Sequence, residues 1–348
     1  MGTEHYALSS TEGSARVGVL KTNHGNLSLP CVMPVVKPTI YDRYWMTLLR
    51  EYPPEALMIN ASILRNWPRV NNMTKQGIHS YLNYDGIIFS DGGGFSKESR
   101  GLSQEEILPF QLQLGVDVIT TLDYPTHLSR TWVSRDRIKR SLKNALLASQ
   151  FMNNRSDVLL LASIHAPSVA ELRNSILFLN HYAHFDGFAV GSLLSVQSCY
   201  KTLVDLVLSA RRAAPEKHLH VYGIAGASTY LLMFYLGADS VDSQGALLSG
   251  SRMHYYVPRE SSVHIRGPDD YGLVPCKCPI CTGKEKEHPI GREELAIHNF
   301  LTVQSEISLV RQLINEGSFN KYLERRFKRR PILSKALQYA TRRINQFV

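Results

Sequence analysis

The 348-residue sequence contains no apolar run long enough to span a bilayer, so a membrane partner is not expected. Its first residues, MGTEHYALSSTEG, carry neither a basic start nor an apolar stretch, which argues against a secretory leader. Tyr6 stands where a myristoylation signal needs a serine or threonine. No internal repeat and no low-complexity segment interrupts the chain. A cytoplasmic globular protein is the expectation, and 44% hydrophobic with 20% charged residues is ordinary for one. Cysteine is also scarce: there are five, and three of them (Cys276, Cys278 and Cys281) fall within six residues. That crowding suits metal ligation and excludes a disulfide framework. Cys31 and Cys199 read as small buried hydrophobes. Acid is nearly missing from the end of the chain, where Lys321 to Val348 holds nine basic residues and only Glu324 opposite them. This stretch carries +8 of the net +9, and clustered Lys and Arg of this kind suit a phosphate backbone.

What is present is a recurring alternation. Eight short apolar runs, CVMPVV (31–36), ALMIN (56–60), GIIFSD (86–91), DVITTLD (117–123), DVLLLASIH (157–165), GFAVGS (187–192), HLHVYGIA (218–225) and GADSVDS (237–243), are separated in several places by segments of helical period. Strands alternating with helices predict a parallel sheet, and eight units in about 250 residues predict a (β/α)8 barrel. The runs end in Asn60, Asp91, Asp123, His165, Gly191, Gly223 and Asp242, which in a closed barrel share one rim. VGVLKTNHGNLSLP (17–30) predicts a hairpin over the barrel floor. The expected organisation is a catalytic barrel with its hairpin over 1–255, a zinc-binding subdomain completing the barrel over 256–317, and a basic helical tail over 318–348. GREELAIHNFLTVQSEISLVRQLINEG (291–317) predicts one long amphipathic helix, and Arg330-Pro331 a break in the helical tail.

Two local patterns carry chemistry. PCKCPIC offers three thiolates to a tetrahedral ion, for which zinc is the natural choice. His298, or His288 beside Pro289, supplies the fourth ligand, and the helix-borne His298 is the better preorganised. Four protein ligands leave no open position, so this zinc is structural. In IIFSDGGGFS (87–96), an apolar strand ends in an acid followed by three glycines, as expected where the backbone turns sharply or lies close against a ligand.

FSDGGGFS, GADSVDSQGA and the C-x-C-x2-C cluster with His298-Asn299 on a following helix together resemble the tRNA-guanine transglycosylases. MPVVKPT, TLDYPT, FAVGS and VDSQGA resemble the archaeal branch most, over roughly residues 14 to 310. The resemblance implies a zinc-bearing barrel that exchanges guanine in a nucleic acid for a 7-deazaguanine. It implies Asp242 as nucleophile, forming a covalent glycosyl-enzyme, and Asp91 as the acid that handles protons and contacts the base. Asp123 would read the guanine-like edge, Gly191 would offer its backbone to the base carbonyl, Phe95 would stack on the ring, and Gly93 would let the base approach.

The sequence departs from the family pattern. Gly92-Gly93 stands for the usual Ser-Gly, Ser96 for a glutamine, and His165 for a glutamine that contacts the base. The Cys281 to His298 spacing is short, and the chain is expected to lack the archaeal RNA-binding domain. This pattern resembles the branch that inserts 7-deazaguanines, such as 7-cyano-7-deazaguanine, into DNA. A DNA-guanine transglycosylase is therefore expected, its backbone held by Arg325, Arg326, Lys328, Arg329 and Arg330, with exchange on tRNA as the alternative. A homodimer and partner proteins of a DNA-modification system are further implications of the resemblance. A non-catalytic nucleic-acid binder would be favoured had Asp91 or Asp242 been lost, and a barrel hydrolase needs neither the thiolates nor the basic tail.

Overall fold

A computed structural model of the chain describes residues 5–36, 43–94, 101–126, 131–153, 155, 157–165, 167–193, 199–224, 226, 228–267, 270, 276–282 and 290–346. Three strands, β1 (Tyr6–Glu12), β2 (Ala15–Thr22) and β3 (Gly25–Leu29), form an antiparallel sheet. Eight follow as β4 (Cys31–Val36), β5 (Ala56–Asn60), β6 (Ile87–Asp91), β7 (Val118–Thr120), β8 (Leu159–Ile164), β9 (Gly187–Val190), β10 (His218–Val221) and β11 (Ser240–Ser243). These close into a parallel barrel, in which β11 pairs with β4 and shuts the ring. β12 (His254–Tyr256) and β13 (Ser262–His264) make a small ribbon. All eight expected strands are present, and the expected barrel is the fold.

The helices up to the middle of the barrel are α1 (Arg43–Glu51), α2 (Ala61–Arg65), α3 (Val70–Gln76), α4 (Ile78–Leu82), α5 (Gln104–Leu114) and α6 (Thr131–Met152). They continue as α7 (Val169–Tyr182), α8 (Tyr200–Ala213), α9 (Thr229–Tyr235), α10 (Gly245–Ser251), α11 (Arg292–Asn315), α12 (Phe319–Phe327) and α13 (Pro331–Asn345). Barrel strands are covered on both faces, which is why they read as continuous apolar runs. Their period of two divides the core in two layers. Met33, Met58, Phe89 and Leu161 point inward, whereas Val32, Ile59, Ile88 and Leu160 meet the helices.

The floor is sealed as expected, although by three strands rather than a hairpin. Tyr6, Leu20, Leu27 and Leu29 from the sheet join the inner core. Side chains that precede the barrel strands lock it there. Tyr6 Oη donates to Asp239 Oδ1 at 2.9 Å, and His24 Nδ1 lies 2.7 Å from Asp117 Oδ1. His24 also stacks on His79 at 3.7 Å between ring centres.

The C-terminal helical segment is docked on the barrel. Phe319, Leu323, Phe327, Leu337 and Ile344 are buried in the same core as the barrel helices. Glu12 accepts the N–H groups of Phe319 and Asn320 at 2.7 and 2.8 Å, and Asp205 pairs with Arg343 at 3.0 Å. Of the two isolated cysteines, Cys31 is buried, and burial pushes its thiol up to about 12. Cys199 departs from its expectation. It is exposed just before α8, where a hydrogen bond with Thr202 lowers its thiol below the usual range.

Candidate active site

The rim at the carboxyl ends of the strands gathers the acids. Asp91 ends β6, Asp123 follows β7 and Asp242 lies in β11. Asp91 Oδ2 accepts from Asn60 Nδ2 at 3.0 Å, and its Oδ1 accepts from the Gly93 N–H at 2.9 Å. Gly93 has φ +91°, a conformation that disfavours any other residue, and this turns the N–H back onto the acid. Asn60 is itself held, because its Oδ1 caps α2 by accepting from the Ile63 N–H at 3.1 Å. Burial, then the Asp123 charge and to a lesser degree that of Asp242, push the Asp91 carboxyl up to about 8 against these hydrogen bonds. Asp91 therefore holds a proton at neutral pH.

Asp123 is 4% exposed, and its Oδ2 is paired with His165 Nε2. Its other oxygen, Oδ1, is buried with no hydrogen-bond partner among the described residues. A buried acceptor left open in this way is suited to a donor edge of a ligand. His165 Nδ1 lies 2.8 Å from Ser192 Oγ, which accepts from the Thr126 N–H at 3.1 Å. Against a carboxylate oxygen, which accepts, Nε2 is the nitrogen that carries the ring proton. Gly191 leaves room for this ring, and its N–H donates to the Ile164 carbonyl at 3.0 Å. That N–H is thus committed to the strand ladder rather than offered to a base carbonyl.

Asp242 is 9% exposed. Its Oδ1 accepts from the Gly223 N–H at 2.8 Å and lies 3.2 Å from His220 Nε2. Tyr222, whose Oη lies 3.0 Å from Ser163 Oγ, stands beside the acids, and burial raises its phenol well above the usual range. The sequence reading overlooked Tyr222, Ser192, His220 and Ser240. The available signal was HLHV, which puts two histidines two residues apart on one face of an apolar strand. Phe95, Ser96 and His288 lie outside the described residues.

At the second centre, Cys276, Cys278, Cys281 and His298 place one ligand atom each within 4.8 Å of all the others, so they could hold a metal ion. His298 Nδ1 lies 3.2 and 3.3 Å from the Cys278 and Cys281 sulfurs. Its Nε2–H donates to the Tyr256 carbonyl at 3.0 Å, which leaves Nδ1 bare and aimed at the thiols. Tyr255 stacks on the same ring at 4.1 Å. A hydrogen bond between the two thiols pulls Cys278 down to about 3 and pushes Cys281 up, because the sulfurs crowd a single negative charge. Three sulfurs and a bare imidazole nitrogen that converge on one point fit a soft divalent cation.

The basic residues divide. Arg325, Lys328 and Arg329 are exposed. Arg326 is not, since its Nε lies 2.7 Å from Glu306 Oε1 with both side chains almost fully buried. Arg330 is half-buried and donates to the Glu260 carbonyl at 2.9 Å.

A family model described as Queuine tRNA-ribosyltransferase matches residues 10–332, which take in the whole barrel and the thiolate cluster. The chain belongs to this family. As a member it is a pentosyltransferase. Among its relatives is a tRNA-guanine(15) transglycosylase of Methanosarcina barkeri, 26% identical over 96% of this chain and 69% of that protein. Proteins of the same description from Methanococcus aeolicus and Pyrococcus abyssi are 27% and 26% identical, over 99% and 95% of this chain. The transglycosylase chain spans 55% and 58% of the length of those two. Among its described residues no helix is long and apolar enough to cross a membrane.

Proposed function

We propose that this transglycosylase exchanges guanine in a nucleic acid for a 7-deazaguanine, with Asp242 as nucleophile and Asp91 as proton donor. The observation that carries this reading is the contrast between the two acids. Burial and the Asp123 charge raise the Asp91 carboxyl towards its protonated form in spite of the Gly93 N–H that it accepts, whereas Asp242, among the described residues, has its contacts with the Gly223 N–H and His220 on Oδ1 alone. An Asp242 oxygen lone pair forms a bond to the anomeric carbon as the bond to guanine N9 breaks. The bonding pair leaves with guanine, which takes the Asp91 proton. The incoming base returns a proton to Asp91 as its nitrogen displaces the carboxylate. Two displacements in place of one is what a carboxylate nucleophile provides.

Asp123, through its open Oδ1, would accept a donor from the guanine-like edge, with His165 holding the other oxygen. Phe95 would stack on the ring of the base, and Gly191 would serve the site through the room it leaves for His165. The cysteine cluster with His298 would hold zinc, which supplies a cross-link and no chemistry to the exchange. Arg325, Lys328 and Arg329 are the residues best placed for phosphates.

On the descriptions of its relatives, tRNA is the first reading of the polymer, ahead of the DNA expected from the sequence. A tRNA substrate also suits the cytoplasm. DNA stands second, on the departures from the family pattern at Gly92, Ser96 and His165. Either polymer must yield a guanine from its stack, at a cost that backbone contacts offset. The test is incorporation of radiolabelled guanine into unmodified tRNA and duplex DNA in parallel, with Asp242→Ala as control. Label in tRNA alone supports the first reading, label in DNA alone the second. Label in neither, or label that survives Asp242→Ala, defeats the proposed chemistry.

A further inference from the structure

Below Asp242 the barrel interior carries three polar side chains among apolar ones. His218 and His220 of β10 and Ser240 of β11 are fully buried. His218 Nε2 and His220 Nδ1 each lie 2.8 Å from Ser240 Oγ, and His220 Nε2 lies 3.2 Å from Asp242 Oδ1. Phe89 packs against both imidazoles. Buried N–H and O–H groups of this kind are costly unless each donates to an acceptor, so their proton order can be deduced.

An ionised Asp242 only accepts, so His220 donates to it through Nε2–H. A neutral His220 then has a bare Nδ1, which accepts the Ser240 hydroxyl proton. Ser240 Oγ in turn accepts from His218 Nε2–H. This order leaves His218 Nδ1 with neither proton nor partner, and among the described residues that buried nitrogen has no hydrogen-bond partner. Burial pushes the His218 imidazole down to about 4, which keeps that ring neutral. The hydrogen bonds run in one direction, from the barrel floor to the rim.

We propose that His218, Ser240 and His220 form a directional relay that selects which oxygen of Asp242 reacts. The inference rests on the reading of Asp242 as nucleophile. Among the described residues, both hydrogen bonds that the carboxylate accepts fall on Oδ1, from His220 and from the Gly223 N–H. Oδ2 is therefore the atom whose lone pair attacks the anomeric carbon, while the bonding pair departs with guanine. Oδ1 becomes the carbonyl oxygen of the glycosyl ester and keeps both donors. When the new base displaces the ester, negative charge returns to a carboxylate already held by two N–H groups, which makes it a better leaving group. The three residues act through Asp242 and are positioning residues.

The test is a ring-nitrogen NMR spectrum of the full-length protein carrying 15N-labelled histidine, together with exchange kinetics. His218 and His220 are expected as neutral Nε2–H tautomers. In Ser240→Ala, His220 should lose its single tautomer and kcat should fall about tenfold at unchanged KM for the base, the size expected for one lost hydrogen bond. The covalent adduct should form correspondingly more slowly, and Ser240→Thr should restore both readouts. A His220 Nδ1–H tautomer in the wild-type protein overturns the relay and needs no active variant to be seen. So does a Ser240→Ala protein with unchanged tautomer and kcat. Persistence of the adduct in Asp242→Ala would instead sink the reading beneath it, whatever the tautomers.

Discussion

A methyl group on Gly191 would overlap the imidazole ring of His165. Gly191 at the end of β9 thus makes the space in which His165, at the end of β8, stands between Ser192 and Asp123. Gly191→Ala should expel the ring and leave Asp123 buried without its partner. Loss of a buried, charged hydrogen bond predicts a drop in kcat/KM for base exchange of about 10- to 100-fold. Because the two residues act as one unit, adding His165→Ala to Gly191→Ala should cost little more. Additive losses in the double mutant would show that the two act separately.

Asp91 predicts a pH dependence with a definite sign. As the proton donor it must be protonated, so kcat should fall as pH rises through about 8, and Asp91→Asn should remove the chemical step. Stability follows the same shift. An unfolded carboxyl releases its proton near ~4, whereas the folded one keeps it to about 8. Across that window the unfolded state binds fewer protons, so the group makes stability fall as pH rises, with the loss complete above the folded value. Thermal melts from pH 4 to 8 should show a flatter Tm profile for Asp91→Asn than for the wild type. Equal slopes would place the shift elsewhere.

The barrel was legible because strands buried on both faces read as apolar runs, each ending in a residue of distinct chemistry such as Asp91 or Asp242. β1 was not, since only Tyr6 of YALSSTE is buried and no apolar period marks it. The histidines of HLHV were visible as a pattern, but Ser240, which gives them meaning, lies on the next strand. The run of arginines looked uniform. Only helical geometry separates Arg326, on the buried side with Leu323 and Phe327, from Arg325, Lys328 and Arg329 outside. His298 could be chosen over His288 because a helix fixes a ligand, and the carbonyl of Tyr256 that orients it had no signature at all.

Removing the proposed zinc should loosen one region and spare the barrel's closure. The four ligands tie the 276–282 segment to α11, which itself braces the barrel, as Gln304 donates to the Val32 carbonyl at 3.0 Å. Elemental analysis should find about one zinc per chain. Chelation, or Cys281→Ala, should lower Tm and increase hydrogen exchange in β12 and the first turns of α11. Full zinc content in Cys281→Ala would remove that sulfur from the ligand set.

The basic helices should separate stability from binding. Arg326 faces Glu306 with both side chains buried, and Glu306 also accepts from Tyr230 and Tyr322 at 2.6 Å. Arg326→Ala leaves that carboxylate buried without its counter-charge, which should cost about 3 kcal/mol in chemical denaturation. Arg325, Lys328 and Arg329 have no such burden. Replacing these three by alanine should leave stability within about 0.5 kcal/mol, as for other surface changes. Their loss should instead weaken nucleic-acid binding and reduce the slope of log K against log salt by about two to three, one step for each phosphate contact removed. An unchanged salt slope would move the polymer's path to another face of the barrel. A large stability loss in the triple variant would mean that these side chains, like Arg326, belong to the fold.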